Sequence, residues 1–339
     1  MVTVKDIARQ LGVSHSTVAR ALGDHPRISQ RTKAKVRSKA DEMGYVADTA
    51  ARLMRGQAST VVGLIIPDIQ NDFYSTVAKA ISECCDDFGF QLMLAITDDD
   101  PEVELRQVRG LLSARAAGVV VIPTPTPLRE TVSLLKRLSH VQLIRKSRKL
   151  DSAWFGIDDV AAARDATRHL VELGHRRIGY IGGSTDISTG AERLDGFRLA
   201  LADAGIDPTS AAIETGGCDS GYGRAAVERL LARVERPTAI ITAGARITVG
   251  VLEGLNANRI TIPDGMSFIG FSDAPSFAWY GPGLTTIGLP AREIAMSCSS
   301  FLLRRAREPR ELGESAAPCH VTHQAFLIRR GSTAPPARG

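Results

Sequence analysis

From Val61 onward the chain alternates short, uninterrupted apolar runs with amphipathic stretches of helical period, and no other feature restricts its fold as much. The runs are Val61–Ile66, Gln91–Ile96, Gly118–Ile122, Val141–Ile144, Arg177–Ile181, Ala239–Thr242 and Met266–Phe271. Each has the length of a strand, and a strand without polar alternation is buried on both faces. Between them Val77–Phe88, Glu102–Ala114, Val160–Leu173, Ala191–Ala204 and Gly221–Ala232 carry apolar residues at helical spacing. Strands covered on both faces and joined by helices form parallel sheets. The strand number predicts two doubly wound sheets, dividing near residue 160. Ligands of such sheets sit beyond the carboxyl ends of the strands, and two sets of ends can face each other across a cleft.

A length of 339 residues with 44% apolar and 23% charged residues leaves ample material for a core and excludes extended disorder. No run approaches the roughly 18 apolar residues of a membrane span. The first residues turn amphipathic without a signal-peptide core, so a cytoplasmic location is expected. The five cysteines (Cys84, Cys85, Cys218, Cys298, Cys319) include no CxxC pair and suit a reducing compartment. Cys319-His320 with His323 lacks a second pair at metal-binding spacing, and Gly182-Gly183-Ser184-Thr185 matches neither nucleotide-binding glycine pattern. No catalytic constellation stands out. Neither a cofactor nor enzymatic activity is expected.

Charge is unevenly placed. Residues 1–60 carry a net charge of +6, whereas the rest of the chain carries −1. This asymmetry fits a small polyanion-binding module on a neutral body. The module reads as three helices: one with Val4, Ile7, Ala8 and Leu11 on a face, one from His15 to Leu22, and one from Ser29 to Met43. Gly12-Val13-Ser14 separates the first two, which gives a helix-turn-helix. In that motif the second helix enters the major groove. Arg20 suits paired bonds to guanine, and His15 and Ser16 can exchange hydrogen bonds with bases.

Val4-Lys5-Asp6-Ile7-Ala8, Gly12-Val13-Ser14, Thr17-Val18-Ala19-Arg20, Ser29, Thr32 and Gly44-Tyr45 closely resemble the headpiece of the lactose-repressor/galactose-repressor (LacI/GalR) family of bacterial transcription regulators. The resemblance implies that His15, Ser16 and Arg20 read bases, while Thr3, Ser14, Thr17, Ser29, Thr32 and Tyr45 contact the DNA backbone. Ala19 stands where the family usually has Ser, and Gly23 where Asn is frequent. Residues 47–60 then read as a linker with a helix, too short for stability alone, over Asp48–Gly56. In the family, two such helices wedge an apolar side chain into the minor groove. Met54 takes the place of the usual leucine, and Ala47 that of a proline.

The likeness continues through Pro67–Tyr74, Asp158-Asp159, His169-Leu170, Gly174–Ile178, Arg193–Phe197, Gly270–Asp273 and Leu284–Ile287. These stretches are similar to the effector core of the same family, which has the periplasmic-sugar-receptor fold. It implies an N-subdomain of about 61–160 and 289–319, and a C-subdomain of about 161–288 and 320–330. The Gly174-His175-Arg176 segment reads as a structural turn. By position Phe73, Tyr74, Thr124, Asp158, Thr189, Arg193 and Asp273 match residues lining the cleft. Two carboxylates common in the family are absent: Gly244-Ala245 replaces an Asn-Asp pair, with Arg246 next, and Arg145 replaces a strand-end Asp. Cations at or beside those places suggest a sugar-derived anion as effector.

The expected arrangement is thus a DNA-binding unit at 1–46, a hinge at 47–60, a core at 61–330 and a flexible tail at 331–339. Its expected partners are a palindromic DNA operator, a small sugar-like effector and a second copy of the chain; no membrane is involved. The tail has no heptads for a tetramer. A solute-binding protein and a sugar-handling enzyme on the same scaffold are the rival readings. Affinity for duplex DNA should fall steeply with salt, because phosphate contacts release counterions; a fluorescence-anisotropy titration showing no salt slope would contradict the charge argument.

Overall fold

The computed structural model describes residues 2–45, 59–307 and 319–337. Ala47, Met54 and the expected hinge helix lie outside the described residues. The chain divides into two compact units, Met1–Ser59 and Thr60–Gly339.

The first unit holds helices α1 (Val4–Leu11), α2 (His15–Leu22) and α3 (Gln30–Glu42). Thr3 and Asp6 form a capping box at the start of α1, and Gly12 ends it at φ 65, a conformation that glycine adopts without strain. Ser14 and Ser29 cap α2 and α3. Ile7, Ala8, Val18, Ala21, Val36 and Ala40 form the core between the helices. Near the end of α2, Ala21 is fully buried and Leu22 packs partly buried against the same core.

In the second unit the elements are β1 (Val61–Ile66), α4 (Asp72–Asp87), β2 (Gln91–Ile96), α5 (Pro101–Ser113), β3 (Gly118–Val121), α6 (Arg129–Leu135), β4 (His140–Leu143) and β5 (Trp154–Ile157). There follow α7 (Asp159–Glu172), β6 (Ile178–Gly183), α8 (Ser188–Asp203), β7 (Ala212–Gly216), α9 (Ser220–Leu231), β8 (Ala239–Thr242), α10 (Ala245–Ala257) and β9 (Ser267–Phe271). The chain closes with β10 (Thr285–Gly288), α11 (Ala291–Arg307), β11 (His320–His323) and β12 (Phe326–Ile328). The strands make two six-stranded sheets, ordered β11-β5-β4-β3-β1-β2 and β12-β10-β9-β8-β6-β7. Among the described residues, every pairing is parallel except β10 with β12.

Successive residues of one strand feed cores on opposite faces. Leu64 and Ile66 join Val77 and Ile81 of α4 and Leu302 of α11, while Ile65 joins Val108 and Leu111 of α5 and Leu135 of α6. In the second sheet Ile241 and Ile269 pack with Leu194 and Phe197 of α8, and Ile240 and Phe268 with Leu230 of α9 and Val251 of α10. Burying each such side chain contributes about 1.5–3 kcal/mol. The edge strand β2 departs from the expectation of full burial, leaving Met93 and Leu94 each 41% exposed.

Two expectations need correction. The last return to the second sheet comes after His323, not at residue 320, because β11 pairs with β5 and extends the first sheet. Residues 331–337, expected to be a flexible tail, are docked on the second sheet. Ser332 is fully buried: its hydroxyl accepts from the Thr285 N–H (2.7 Å) and donates to the Phe268 carbonyl (2.6 Å). His169 Nε2 lies 3.0 Å from Thr333 Oγ1, and His175 Nε2 lies 2.9 Å from the Ala334 carbonyl oxygen. Polar residues read as tail chemistry here saturate the backbone of β9 and β10.

Burial holds the His169 and His175 imidazoles below their ordinary value of 6.5. The unfolded chain therefore takes up protons at a pH where the folded chain resists them, and stability falls as pH drops below that value. Melting temperature should decrease between about pH 7.5 and pH 5.5, and His175→Asn should lower it at the higher pH while flattening the dependence. A slope unchanged in that variant would show that His175 does not contribute.

Candidate functional site

The first unit presents one helix face of mixed chemistry. His15, Ser16 and Arg20 of α2 are exposed and Thr17 is half-buried. The Thr17 N–H donates to Ser14 Oγ at 3.1 Å, and Ser14 Oγ lies 2.9 Å from Ser16 Oγ and 2.8 Å from Thr17 Oγ1. Thr3, Ser14 and Ser29 each cap a helix, and the Thr32 N–H donates to Ser29 Oγ at 3.2 Å. Hydroxyls at helix N-termini, where amides are unspent, are suited to phosphate oxygens. Tyr45 is half-buried against the core of the unit. Lys33 is not available to a polyanion: it is buried, and its ammonium is held by the Asp24 carbonyl (3.2 Å) and carboxylate (3.1 Å).

In the second unit the strand-end loops of the two sheets enclose a cleft with two adjoining chambers. A narrow chamber of about 70 Å³ is walled by Phe73, Tyr74, Arg145, Thr189, Arg193, Arg246 and Phe271. A wide one of about 460 Å³ has Asp68, Asp98, Asp99 and Asp219 in its wall. Asn71, Tyr74, Arg145, Ile187, Cys218 and Arg246 face both. The wide chamber falls within the roughly 300–1,000 Å³ range of small-molecule sites. Glycine shapes one wall: a Cβ on Gly190 would stand 2.0 Å from the Ser184 carbonyl oxygen, so only glycine lets α8 begin so close to the loop after β6.

The three arginines are in different states. Arg145, almost wholly buried, makes a two-pronged ion pair with Asp99. Arg193 donates to Asp159 Oδ1 (2.6 Å) and the Ala243 carbonyl (2.8 Å), with its guanidinium 3.7 Å from the centroid of the Phe271 ring. Burial raises the Asp159 carboxyl above its ordinary value, and the Arg193 charge opposes that rise. Arg246 is held loosely, with Nε 3.8 Å from Asp68 Oδ2 and Nη2 3.5 Å from Gln70 Oε1. Lys146 also joins the two sheets: its N–H donates to Ser188 Oγ (2.8 Å) and its ammonium to Glu192 (3.2 Å).

Residues 3–48 match the family model described as "Bacterial regulatory proteins, lacI family", and residues 59–323 match "Periplasmic binding proteins and sugar binding domain of LacI family". The chain belongs to the LacI family. It is a DNA-binding transcription regulator. The HTH-type transcriptional regulator GalR of Salmonella typhimurium (strain SL1344) is 31% identical over 99% of this chain and 97% of its own length. The ribose operon repressor of Escherichia coli (strain K12) is 29% identical over 91% of this chain and 94% of its own length. The lac repressor dimer bound to operator and the anti-inducer ONPF shares the fold, with a TM-score of 0.83 at 22% identity, covering 98% of this chain and 99% of that one.

Among the effector residues expected for a LacI-family core, Phe73, Tyr74, Arg145, Thr189, Arg193 and Arg246 come together in the wall of the cleft. Three others do not. Thr124 is bound through its N–H (2.9 Å) and hydroxyl (2.8 Å) to the buried Glu104, and faces a neighbouring hollow beside Lys146 and Ser188 that shares Arg145 and Ile187 with the cleft. Asp158 caps α7 by accepting from the Ala161 N–H at 2.8 Å. Asp273 accepts two bonds from Arg330 and one from Thr286 Oγ1, which hold its carboxyl below the ordinary range against the opposing effect of burial. Asn71, Asp98, Asp99, Cys218, Asp219 and Phe271 line the cleft without having been singled out from the sequence. Asp98 and Asp99 sit in a loop with positive φ, in a run of three Asp residues that was a legible signal.

Removing one partner of a buried ion pair leaves an uncompensated charge, which costs about 3–5 kcal/mol. Asp159→Ala, which strands Arg193, should therefore shift urea unfolding of the full chain by that amount; a change below about 1 kcal/mol would place the pair in solvent-like surroundings.

Proposed function

We propose that this LacI-family regulator is a cytoplasmic repressor that binds a palindromic operator as a homodimer, with a small molecule in the cleft setting its operator affinity. One observation carries the reading: a basic three-helix unit with His15, Ser16 and Arg20 exposed on its second helix is on the same chain as a cleft of ligand size between two strand-end edges. The relatives support it, since a lac repressor dimer is bound to operator and to an anti-inducer, and another relative is an operon repressor. The sugar-binding description of the matched core supports a sugar-like effector.

Base contacts are assigned to His15, Ser16 and Arg20, and backbone contacts to Thr3, Ser14, Thr17, Ser29, Thr32 and Tyr45. Met54 is assigned to the minor-groove wedge. Effector contacts are assigned to the aromatic pair Phe73 and Tyr74 and to Arg145, Thr189, Arg193 and Arg246. For the effector to regulate, it must bind two conformations of the core unequally.

Selection of bound fragments from random duplex, followed by anisotropy titration, tests the DNA assignment. Arg20→Ala should relax base preference at one symmetric pair of positions and cost about 1–3 kcal/mol per half-site. Uniform weakening on every sequence would make Arg20 a phosphate contact, and absence of any palindrome preference in the parent protein would remove the operator reading.

A further inference from the structure

The carboxylates around the cleft are confined to one chamber. Among the described residues, the wall of the narrow chamber contains three guanidinium groups and no carboxylate, while the wide chamber adds Asp68, Asp98, Asp99 and Asp219 to Arg145 and Arg246, which face both. Two of the guanidiniums are already committed, Arg145 to Asp99 and Arg193 to Asp159 and the Ala243 carbonyl. Arg246 is not. Among the described residues its Nε has no hydrogen-bond partner, and its contacts to Asp68 and Gln70, at 3.8 and 3.5 Å, lie at or beyond the outer limit of a useful bond. A guanidinium offers five donors, and this one stands where both chambers meet with most of them unspent.

The wide chamber has acceptors to spare. Asp98 is exposed and makes no side-chain bond among the described residues, and Asp219 uses one oxygen to cap α9 through the Tyr222 N–H (2.8 Å). Carboxylates accept strongly from hydroxyls, and a guanidinium binds a carboxylate or phosphate in a two-pronged fashion. A neutral polyol satisfies the wide chamber and leaves Arg246 unsatisfied. A simple anion satisfies Arg246 and meets repulsion from the carboxylates. A molecule with both chemistries in one order satisfies both.

Building on the effector reading above, we infer that the effector is a hydroxylated organic acid. Its anionic group faces Arg246 at the mouth of the narrow chamber, and its hydroxyls face Asp98 and Asp219. Asp68 and Gln70 belong to the loop after β1, and Arg246 to the first turn of α10, so this contact runs from one sheet's edge to the other's. An anion bound to Arg246 competes with Asp68 for the same donors. The ligand thereby replaces a long, weak contact between the two halves of the core with a bridge through itself. Ligand charge and cleft geometry are coupled at that one side chain.

Calorimetry on the full-length protein with matched probes tests this: glucose against gluconate, glucuronate and glucose 6-phosphate. At least one acidic probe should bind about tenfold or more tightly than glucose, as expected for a charge-assisted bond, and less tightly as salt rises. Arg246→Gln should bring the acidic probes down to the affinity of glucose for the same variant, and Arg246→Lys should retain part of the preference. Asp98→Asn, which tolerates the same backbone conformation, replaces an ionised acceptor by a weaker amide oxygen, so the affinity for glucose, which carries hydroxyls and no charge, should fall severalfold. Glucose binding as well as or better than every acid would overturn the inference while leaving the effector reading intact, as would an acid preference that survives in Arg246→Gln. If no probe binds or moves operator affinity, both the inference and the effector reading fail.

Discussion

The architecture depends on one constraint: strands apolar on both faces must be covered on both faces. In β1, Leu64 and Ile66 point to one core and Ile65 to another, and neither can be left to water. Parallel strands covered this way need a crossover for each connection, so every strand but β12 runs in its sheet's common sense and the loops after the strands collect at one edge. Two sheets built by this rule supply two such edges. The cleft, the arginines beside it and the carboxylates opposite are consequences of the burial requirement, because they stand on the loops it gathers.

The electrostatics of the cleft follow from how deeply each charge is set. Arg145 and Arg193 are buried, and a buried guanidinium persists only when a carboxylate meets it, which Asp99 and Asp159 do. Arg246 is partly open to water and tolerates imperfect partners. The two cations at or beside the places of absent family carboxylates therefore differ: burial has committed Arg145 to an internal partner and left Arg246 with donors to offer. Asp273, read from position as a ligand contact, is instead consumed by Arg330 and Thr286 in holding the last strands to the sheet.

The DNA-binding unit uses its hydroxyls twice. Thr3, Ser14 and Ser29 satisfy the orphan amides of their helices, a structural role independent of any partner. The same geometry places hydroxyl and amide donors together at three helix starts, the arrangement that a phosphate oxygen recognises. Lys33 shows the opposite case, a cation counted in the basic excess but spent on Asp24.

The alternation of apolar runs and amphipathic stretches determined by itself that two parallel sheets would form, because burial on both faces is written residue by residue. Cap residues and glycines likewise set the three helices of the first unit, since capping is local. Tertiary structure alone decided the short or polar strands. Thr285 and Thr286 of β10 are fully buried yet polar, and they are admitted only because Ser332, Arg330 and Asp273 satisfy them from other parts of the chain. It also decided which charges are free. Whether a guanidinium is paired or available depends on a carboxylate from a distant segment, such as Asp99 for Arg145 or Asp159 for Arg193, and spacing along the chain carries no record of that meeting.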